Sequence, residues 1–259
     1  MKTIDLNCDL GESFGPYKMG MDESGIKFVT SANIACGWHA GDPVVMDRTV
    51  KMAADLGVGV GAHPGYPDLL GFGRRNMDCT LEDIQKYVIY QIGALQAFCK
   101  VHGVRLKHVK PHGALYTTAY NNESVARAIV QAIVKFDPDL LFVALAGAKG
   151  ESMRRMGQEL GLKVVYEAFP DRAYTPDGSL ELRSQPGAVI TDPDEVAQRA
   201  LLMAKEGVVI AVDGTSIPIE AQTLCVHGDT PTALKLVGKI RETLEANNIK
   251  LLPMGENES

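Results

Sequence analysis

Six short runs of β-type residues in this chain each end in a cluster of polar and ionisable residues. The clusters are N-C-D-L-G-E (7–12), C-G-W-H-A-G-D (36–42), A-H-P-G-Y-P-D (62–68), V-K-P-H-G-A-L-Y (109–116), Y-E-A-F-P-D-R-A-Y (166–174) and V-H-G-D (226–229). In barrel-type α/β enzymes the active site is built from the carboxyl ends of several strands, which are far apart in the chain. The clusters therefore predict that the strand ends converge on one site.

Strand-type runs alternate with helix-type segments along the chain. We predict strands at 3–8, 32–36, 58–62, 106–109, 141–145, 163–168 and 224–226, and helices at 42–56, 80–102, 123–136, 150–160, 192–206 and 230–247. This alternation favours a parallel sheet, open or closed. Two segments interrupt it: 172–182 contains a T-P-D-G turn signal, and 207–220 contains an Asp-Gly hairpin signal.

Strand parity favours a closed barrel over an open sheet. In the first strand Asp5, Asn7 and Asp9 share one side, while Ile4 and Leu6 share the other. The other predicted strands repeat this division between a small or polar face and an aliphatic face, although Lys107 falls on the aliphatic side of its strand. A doubly wound sheet would be apolar on both faces. We therefore predict an irregular, TIM-like (β/α) barrel of seven or eight strands.

The barrel is predicted to form a single domain over residues 1–252, followed by a disordered tail at 253–259. Its inward, polar faces end in ionisable groups that should line one pocket at the carboxyl-terminal mouth. This predicted set consists of Asp9, His39, His63, Lys110, His112, Glu167 and His227.

Composition argues against several other classes of protein. The chain of 259 residues has a formal net charge of −6 and no basic stripe, which disfavours a nucleic-acid role. It contains no apolar run long enough for a signal peptide or a membrane span. Its five cysteines are scattered and form no C-x-x-C pair, so we interpret them as reduced residues. These features predict a cytoplasmic enzyme with no membrane partner.

A divalent-metal site is an open alternative at the strand ends. Histidine and aspartate from separate strands could supply its ligands, and the candidates are Asp9, His39, His63 and His227. No H-x-H or H-x-x-x-H spacing supports such a site. No G-x-x-x-x-G-K-[ST] or G-x-G-x-x-G segment occurs either, so any nucleotide would need a non-standard site.

The cationic residues also allow two interpretations. Lys110 could bind an anionic group or stabilise an oxyanion, or it could form a buried structural ion pair with Asp9 or Glu167. Arg74 and Arg75, in the segment F-G-R-R, could clamp an anionic substrate or lie on a solvated loop.

Together the segments N-x-D-L-G-E, N-x-A-C-G-W-H-A-G-D, G-A-H-P-G-Y-P-D, G-F-G-R-R, V-K-P-H-G-A-L-Y, E-x-F-x-D-R-x-Y and V-H-G-D resemble the LamB/YcsF family. The similarity spans residues 4 to about 252. It implies a barrel related to glycoside hydrolases and sugar deacetylases, often with seven strands. It also implies an A subunit that opens the lactam 5-oxo-L-proline to L-glutamate with ATP hydrolysis, in a complex with B and C subunits.

The chemistry of that reaction, rather than the resemblance itself, suggests roles for the residues. A lactam activated by ATP needs a base for water and cations for anionic groups, with Mg²⁺ accompanying the nucleotide. We therefore assign catalytic roles to Asp9, Lys110, Glu167, His63 and His112, and substrate or phosphate binding to Asn7, His39, Arg74, Arg75, Arg172 and His227. Two alternatives stay open: a stand-alone metal-dependent deacetylase or amidohydrolase acting on a sugar amide, and a non-catalytic binding subunit.

Overall fold

A computed structural model describes residues 2–20, 22–226 and 232–256 of the chain. Within these residues seven parallel strands close into a barrel, because the first strand pairs with both the second and the last. The barrel strands, in spatial order, are β1 (Thr3–Leu10), β2 (Ser31–Ala35), β3 (Gly59–His63), β4 (Leu106–Val109), β5 (Leu141–Leu145), β6 (Lys163–Ala168) and β9 (Thr223–Val226). The predicted barrel is confirmed, with seven strands in its wall.

Short strands account for the uncertainty in the predicted strand number. The strand β10 (Lys250–Leu251) pairs only with the start of β1. The hairpin predicted within 207–220 is present as β7 (Val208–Ile210) and β8 (Ser216–Pro218), which pair with each other in antiparallel fashion. Neither addition contributes to the barrel wall.

The residues after β10 lie across the amino-terminal end of the barrel. Met254 is buried and forms an apolar cluster with Leu141, Val143 and Val165. The backbone N–H of Met254 donates to Ser31, and Glu256 forms an ion pair with Lys107. The sequence analysis predicted a disordered tail from residue 253, whereas the structure orders this segment as far as Glu256, because a buried methionine anchors it. The remaining tail residues lie outside the described range.

Helices surround the barrel. They are α1 (Asp22–Gly25), α2 (Pro43–Leu56), α3 (Leu81–Val101), α4 (Gly113–Asn121), α5 (Glu123–Phe136), α6 (Ala148–Leu160), α7 (Pro193–Glu206) and α8 (Ala233–Ala246). Six of them match predicted helices; α1 and α4 were not predicted. The side chain of Asp42 caps α2 by accepting from the N–H groups of Val44 and Val45, as the Asp-Pro pair indicated. No helix in the described ranges is long and apolar enough to cross a membrane.

The observed burial follows the predicted strand parity. Ile4, Leu6 and Val109 belong to the main core, which fills the space between the sheet and the helices. Asp5 and Asn7 are completely buried, and they hydrogen-bond to residues of other strands. Because a strand presents alternate residues to opposite faces, this pattern places one face toward the helices and the other in the barrel lumen.

Candidate active site

A buried lysine lies among carboxylates in the barrel lumen. Lys110 follows β4, and its Nζ lies 2.8 Å from Oε1 of Glu167 and 3.1 Å from Oδ1 of Asp9. Nζ also donates to the thiol of Cys225 at 3.0 Å. Burial alone would lower the Lys110 pKa, but Asp9, Cys225 and Glu167 together raise it well above its ordinary value. The lysine is therefore cationic, and the two carboxylates neutralise it.

Amide and imidazole groups connect the ion cluster of Asp9, Lys110 and Glu167 to neighbouring strands. Asn7 donates to Glu167 at 3.1 Å, and the amide nitrogen of Asn33 donates to Asp9 at 2.8 Å. Asn33 accepts from Nε2 of His108 at 2.7 Å, which identifies the ring nitrogen that carries the proton. Burial lowers the pKa of His108 to about 3, so this imidazole is neutral. The network fixes the orientation of the carboxylates that contact Lys110.

A further carboxyl group, that of Asp5, is buried nearer the amino-terminal end of the lumen. Asp5 accepts hydrogen bonds from the hydroxyls of Thr30, Ser31 and Thr223. Burial raises its pKa to about 6, although these hydrogen bonds act in the opposite direction. The group is thus held in place by hydroxyl donors and has no cation among those hydrogen-bond partners.

Three histidines meet at the mouth of the barrel, beside the ion cluster. The rings of His39 and His112 stack with centroids 3.7 Å apart, and His63 meets His112 edge-on. Nε2 of His63 lies 3.3 Å from Oδ2 of Asp9, and Oε1 of Glu12 lies 4.0 Å from both Nε2 of His39 and Nδ1 of His112. Among the described residues, the group whose ligand atoms could hold a metal ion is Glu12, His39, His63 and His112.

The loop after β3 approaches these histidines closely because of two glycines. Gly73 has a φ of 62°, and a Cβ there would lie 2.7 Å from Cβ of His39. Gly113, at the start of α4, has a φ of 53° and would place a Cβ 2.6 Å from the carbonyl oxygen of Gly73. A side chain at either position would therefore be strained and would separate the loop from the histidine cluster.

A cavity of about 370 Å³ opens at the mouth of the barrel. It contacts both the ion cluster and the histidine cluster through Asp9, Glu12, His63, Lys110 and His112. Its remaining wall combines apolar and cationic side chains: Tyr116, Phe169, Leu180, Leu182, Arg74, Arg172 and Arg183. A concave site with a few polar groups in an otherwise apolar wall is typical of a small-molecule site.

Most residues of the predicted site come together, although not all of them line the cavity. Asp9, Lys110, His63, His112, Arg74 and Arg172 line it. His39, Asn7 and Glu167 are buried behind these residues and contact them. Arg75 does not reach the cavity, because it forms an ion pair with Asp68 in the loop after β3. His227 lies outside the described residues. The catalytic and binding roles of these side chains stay predictions.

The candidate metal ligands differ from those considered in the sequence analysis. His39 and His63 are retained, but Asp9 hydrogen-bonds Asn33 and Lys110, whereas Glu12 and His112 complete the group of four. The sequence analysis included Glu12 in the first polar cluster but did not place it in the pocket. His112 was placed there as a catalytic residue.

The inward set also omitted several residues that the structure places in the lumen. His108, Asn33 and Thr223 lie on the predicted polar faces, so the parity pattern contained a signal for them. Tyr116 belongs to α4, and its hydroxyl donates to Glu167 at 3.2 Å. Because α4 was not predicted, no strand pattern could indicate that contact.

Arg172 is fixed by the excursion after β6. Its guanidinium donates to the carbonyl groups of Ala188 and Glu181, and isolated bridges pair Arg172 with Val189 and Tyr174 with Leu180. Burial lowers the pKa of Arg172 to about 10, which still leaves the side chain cationic at neutral pH. The excursion therefore holds a positive charge at the edge of the cavity.

Comparisons with known proteins match almost the entire chain to one family. The model of the LamB/YcsF family matches residues 4–259. A protein of Thermococcus onnurineus, named as the A subunit of 5-oxoprolinase, is 54% identical over 253 residues, which cover 98% of each chain. The protein of the same name from Natranaerobius thermophilus is 54% identical over 255 residues, covering 98% of each chain.

Solved structures support the barrel. The lactam utilization protein from Thermus thermophilus superposes with a TM-score of 0.92 at 47% identity, covering 98% of this chain and 100% of that protein. A T48 deacetylase superposes with a TM-score of 0.52 at 15% identity, covering 99% of this chain and 90% of that one. At this low identity the second similarity concerns the fold alone.

Proposed function

Because the chain belongs to the LamB/YcsF family, we propose that it is the A subunit of an ATP-dependent 5-oxoprolinase. This enzyme opens the lactam ring of 5-oxo-L-proline to give L-glutamate, with ADP and phosphate as the other products. The proposal rests on relatives that are named as the A subunit of 5-oxoprolinase and share about half of their residues with the full chain. That name implies partners, which we propose are the B and C subunits.

The structural observation that carries the proposal is the charge pattern of the cavity. Its inner wall presents Asp9 and Lys110, and its rim presents Arg74, Arg172 and Arg183. A cyclic amide that bears a carboxylate needs a cation for the carboxylate, a polar group for the amide oxygen and an apolar surface for the ring. Phe169 supplies such a surface beside Lys110, whose Nζ lies 5.4 Å from the ring centroid.

Ring opening of a lactam requires activation, because the amide is resonance-stabilised. In the proposed reaction the amide oxygen attacks the γ-phosphorus of ATP, and ADP leaves. Water then adds to the activated carbonyl carbon, and the ring C–N bond breaks to give an amine and an acyl phosphate. A second water molecule releases phosphate and leaves glutamate. Mg²⁺ would accompany the nucleotide and neutralise its phosphates.

The residues of the cavity suit particular parts of this reaction. Asp9 faces the cavity 3.3 Å from Nε2 of His63, and its carboxylate could accept the proton of the attacking water. Lys110 could stabilise negative charge that develops on the substrate oxygen. Glu167 contacts Lys110 from behind and is assigned the role of holding that cation in position.

The decisive experiment measures glutamate release from 5-oxoproline and ATP. The complete mixture of this chain with B and C subunits should release glutamate, and Asp9→Asn should reduce the rate by at least about a hundredfold. Glu256→Gln is the matched control, because Glu256 lies at the opposite end of the barrel and should leave the rate unchanged. Absence of glutamate release by the complete mixture would disprove the proposed activity.

The histidine cluster favours a second candidate, a stand-alone metal-dependent deacetylase or amidohydrolase. Glu12, His39, His63 and His112 offer ligands for an ion beside the same cavity. Such an enzyme would cleave a sugar amide without ATP and without partner proteins, so it would release no glutamate from 5-oxoproline in the assay above. A non-catalytic binding subunit would instead bind 5-oxoproline while Asp9→Asn left the turnover of the complex unchanged.

A further inference from the structure

His39 is a buried polar side chain that the described part of the chain does not satisfy. Its exposed fraction is zero, and within residues 2–20, 22–226 and 232–256 neither ring nitrogen has a hydrogen-bond partner. A buried polar group without a partner destabilises the folded state by the desolvation free energy of that group. Its ring stacks on His112, and its Nε2 lies 4.0 Å from Oε1 of Glu12. A partner for His39 would therefore have to lie in the space between these residues.

The neighbouring histidines point to the same space. Nδ1 of His63 lies 2.6 Å from the carbonyl oxygen of Lys110, and Nε2 of His112 lies 2.8 Å from that of Phe72. A carbonyl oxygen can only accept, so each of these nitrogens carries the ring proton in the neutral imidazole. The other nitrogens, Nε2 of His63 and Nδ1 of His112, then both present lone pairs. They face each other at 3.0 Å.

Two lone pairs at this distance repel each other unless a cation lies between or beside them. A shared proton is one such cation, but it would leave both ring nitrogens of His39 without a partner among the described residues. Neutral imidazoles with fixed lone pairs are the form in which histidine binds metals.

We propose that Glu12, His39, His63 and His112 bind one divalent transition-metal ion of the zinc type beside the cavity. Their ligand atoms all lie within 4.8 Å of one another. In a tetrahedral zinc site with bonds of about 2.0–2.1 Å to nitrogen, two ligand atoms lie roughly 3.4 Å apart. The distances between ligand atoms here run from 3.0 Å, between His63 and His112, to no more than 4.8 Å. Three imidazoles and one carboxylate suit zinc, cobalt or nickel, whereas Mg²⁺ prefers oxygen ligands.

The carbonyl contacts of His63 and His112 support a built site. Metal-binding histidines donate their second ring nitrogen to a carbonyl or carboxylate, which fixes the tautomer and the direction of the lone pair. Both histidines satisfy this condition through backbone atoms. Glu12, His63 and His112 also line the cavity, so the ion would lie where a bound ligand can reach it. This inference does not depend on the lactam activity.

The test measures metal content and coordination rather than turnover. The full-length protein is stripped with a chelator, supplied with Zn²⁺ or Co²⁺, dialysed and assayed by elemental analysis. We expect one equivalent per chain and a Co²⁺ visible spectrum of four-coordinate type without thiolate charge-transfer bands, since the ligand set contains no cysteine. Addition of Mg²⁺ alone should produce no retained metal. Failure of the unmodified protein to retain either transition metal would overturn the proposal.

Variants assign the ligands. His39→Gln and Glu12→Gln should each weaken Zn²⁺ binding by more than about a hundredfold, because even indirect supporting residues contribute tenfold or more to metal affinity. His102→Gln is the matched control: it makes the same substitution in a histidine that pairs with Asp47 at the end of α3. Retention of one equivalent at unchanged affinity in His39→Gln would contradict the proposal. If a variant fails to fold, the Co²⁺ spectrum of the unmodified protein decides.

Discussion

Nζ of Lys110 lies 2.8 Å from Oε1 of Glu167, and Oδ1 of Asp9 lies 3.1 Å from the same nitrogen. These residues belong to, or directly follow, β4, β6 and β1, and no two of these strands are neighbours in the barrel. One lysine therefore connects three separate parts of the wall through the lumen. A buried ion pair is costly to break, because the residue left behind keeps an uncompensated charge. Lys110 can therefore stabilise the fold through these ion pairs and also present its charge to the cavity that it lines.

We expect Lys110→Met to reduce the free energy of unfolding by about 3–5 kcal/mol, because it leaves the buried Glu167 and the partly buried Asp9 without their cation. Chemical denaturation at pH 7 measures the change. Lys107→Met is the matched control, since Lys107 lies on the outer face of β4 and pairs with Glu256 near the surface. The control should change stability by less than about 1 kcal/mol. Equal effects of the two variants would contradict a buried ion cluster of Lys110, Asp9 and Glu167.

Asp5 gives a pH-dependent prediction. Burial raises its pKa in the folded protein from the ordinary value of 3.8 to about 6. The unfolded chain loses this proton first, so the folded state loses stability as the pH rises from about 4 to about 6. At 1.36 kcal/mol per unit the loss is about 3 kcal/mol. In Asp5→Asn this loss should be absent.

The measurement for Asp5 is the difference in unfolding free energy between Asp5→Asn and the unmodified protein across pH 4–8. Asparagine cannot reproduce all of the hydrogen bonds that Asp5 accepts, which adds an offset that does not depend on this titration. The slope between pH 4 and 6 is therefore the informative quantity. A flat difference for Asp5→Asn would show that the carboxyl group is not held in a desolvated environment.

Gly61 should not tolerate a side chain. A Cβ at this position would lie 1.9 Å from Nε2 of His108, the atom that donates to Asn33. Gly61→Ala should therefore destabilise the protein by about 1–3 kcal/mol or more through overpacking. Gly93→Ala is the control, because Gly93 lies within α3. A Cβ there would have only an ordinary contact of 3.8 Å with Phe136. That variant should be neutral or stabilised by up to about 1 kcal/mol. Thermal denaturation of both variants measures the contrast.

Arg74 and Arg75 are neighbours in sequence, but we predict different functions for them. Arg74 lines the cavity and Arg75 pairs with Asp68. Under the proposed function, Arg74→Gln should raise KM for the anionic substrate roughly tenfold or more, since a hydrogen bond to a charged group contributes about 1.5–3 kcal/mol. Arg75→Gln should leave KM within about twofold. Steady-state glutamate release by the assembled complex measures both values, and an increase confined to Arg75→Gln would contradict this assignment.

The barrel could be predicted because its signals are local. Alternation along β1 assigned Asp5, Asn7 and Asp9 to one face, and the structure places their side chains in the lumen network. The bounds of β4, β5 and β6 coincide with the predicted strands. Each prediction depends on the alternation of side chains between the two faces of a strand. This alternation is visible in the sequence whenever a fold buries the two faces in different environments. The prediction of a disordered tail was less successful, because the apolar contact of Met254 is made with strands distant in sequence.

The sequence alone determined which side of each strand faces the lumen and which ionisable residues lie at the strand ends. Only the tertiary structure decided how those residues pair: that Lys110 lies between Asp9 and Glu167, that Arg74 reaches the cavity while Arg75 does not, and that Glu12 joins the histidines. The physical reason is that strand periodicity fixes direction within one element. Distances between atoms on different loops depend instead on barrel closure and on backbone turns that have no period.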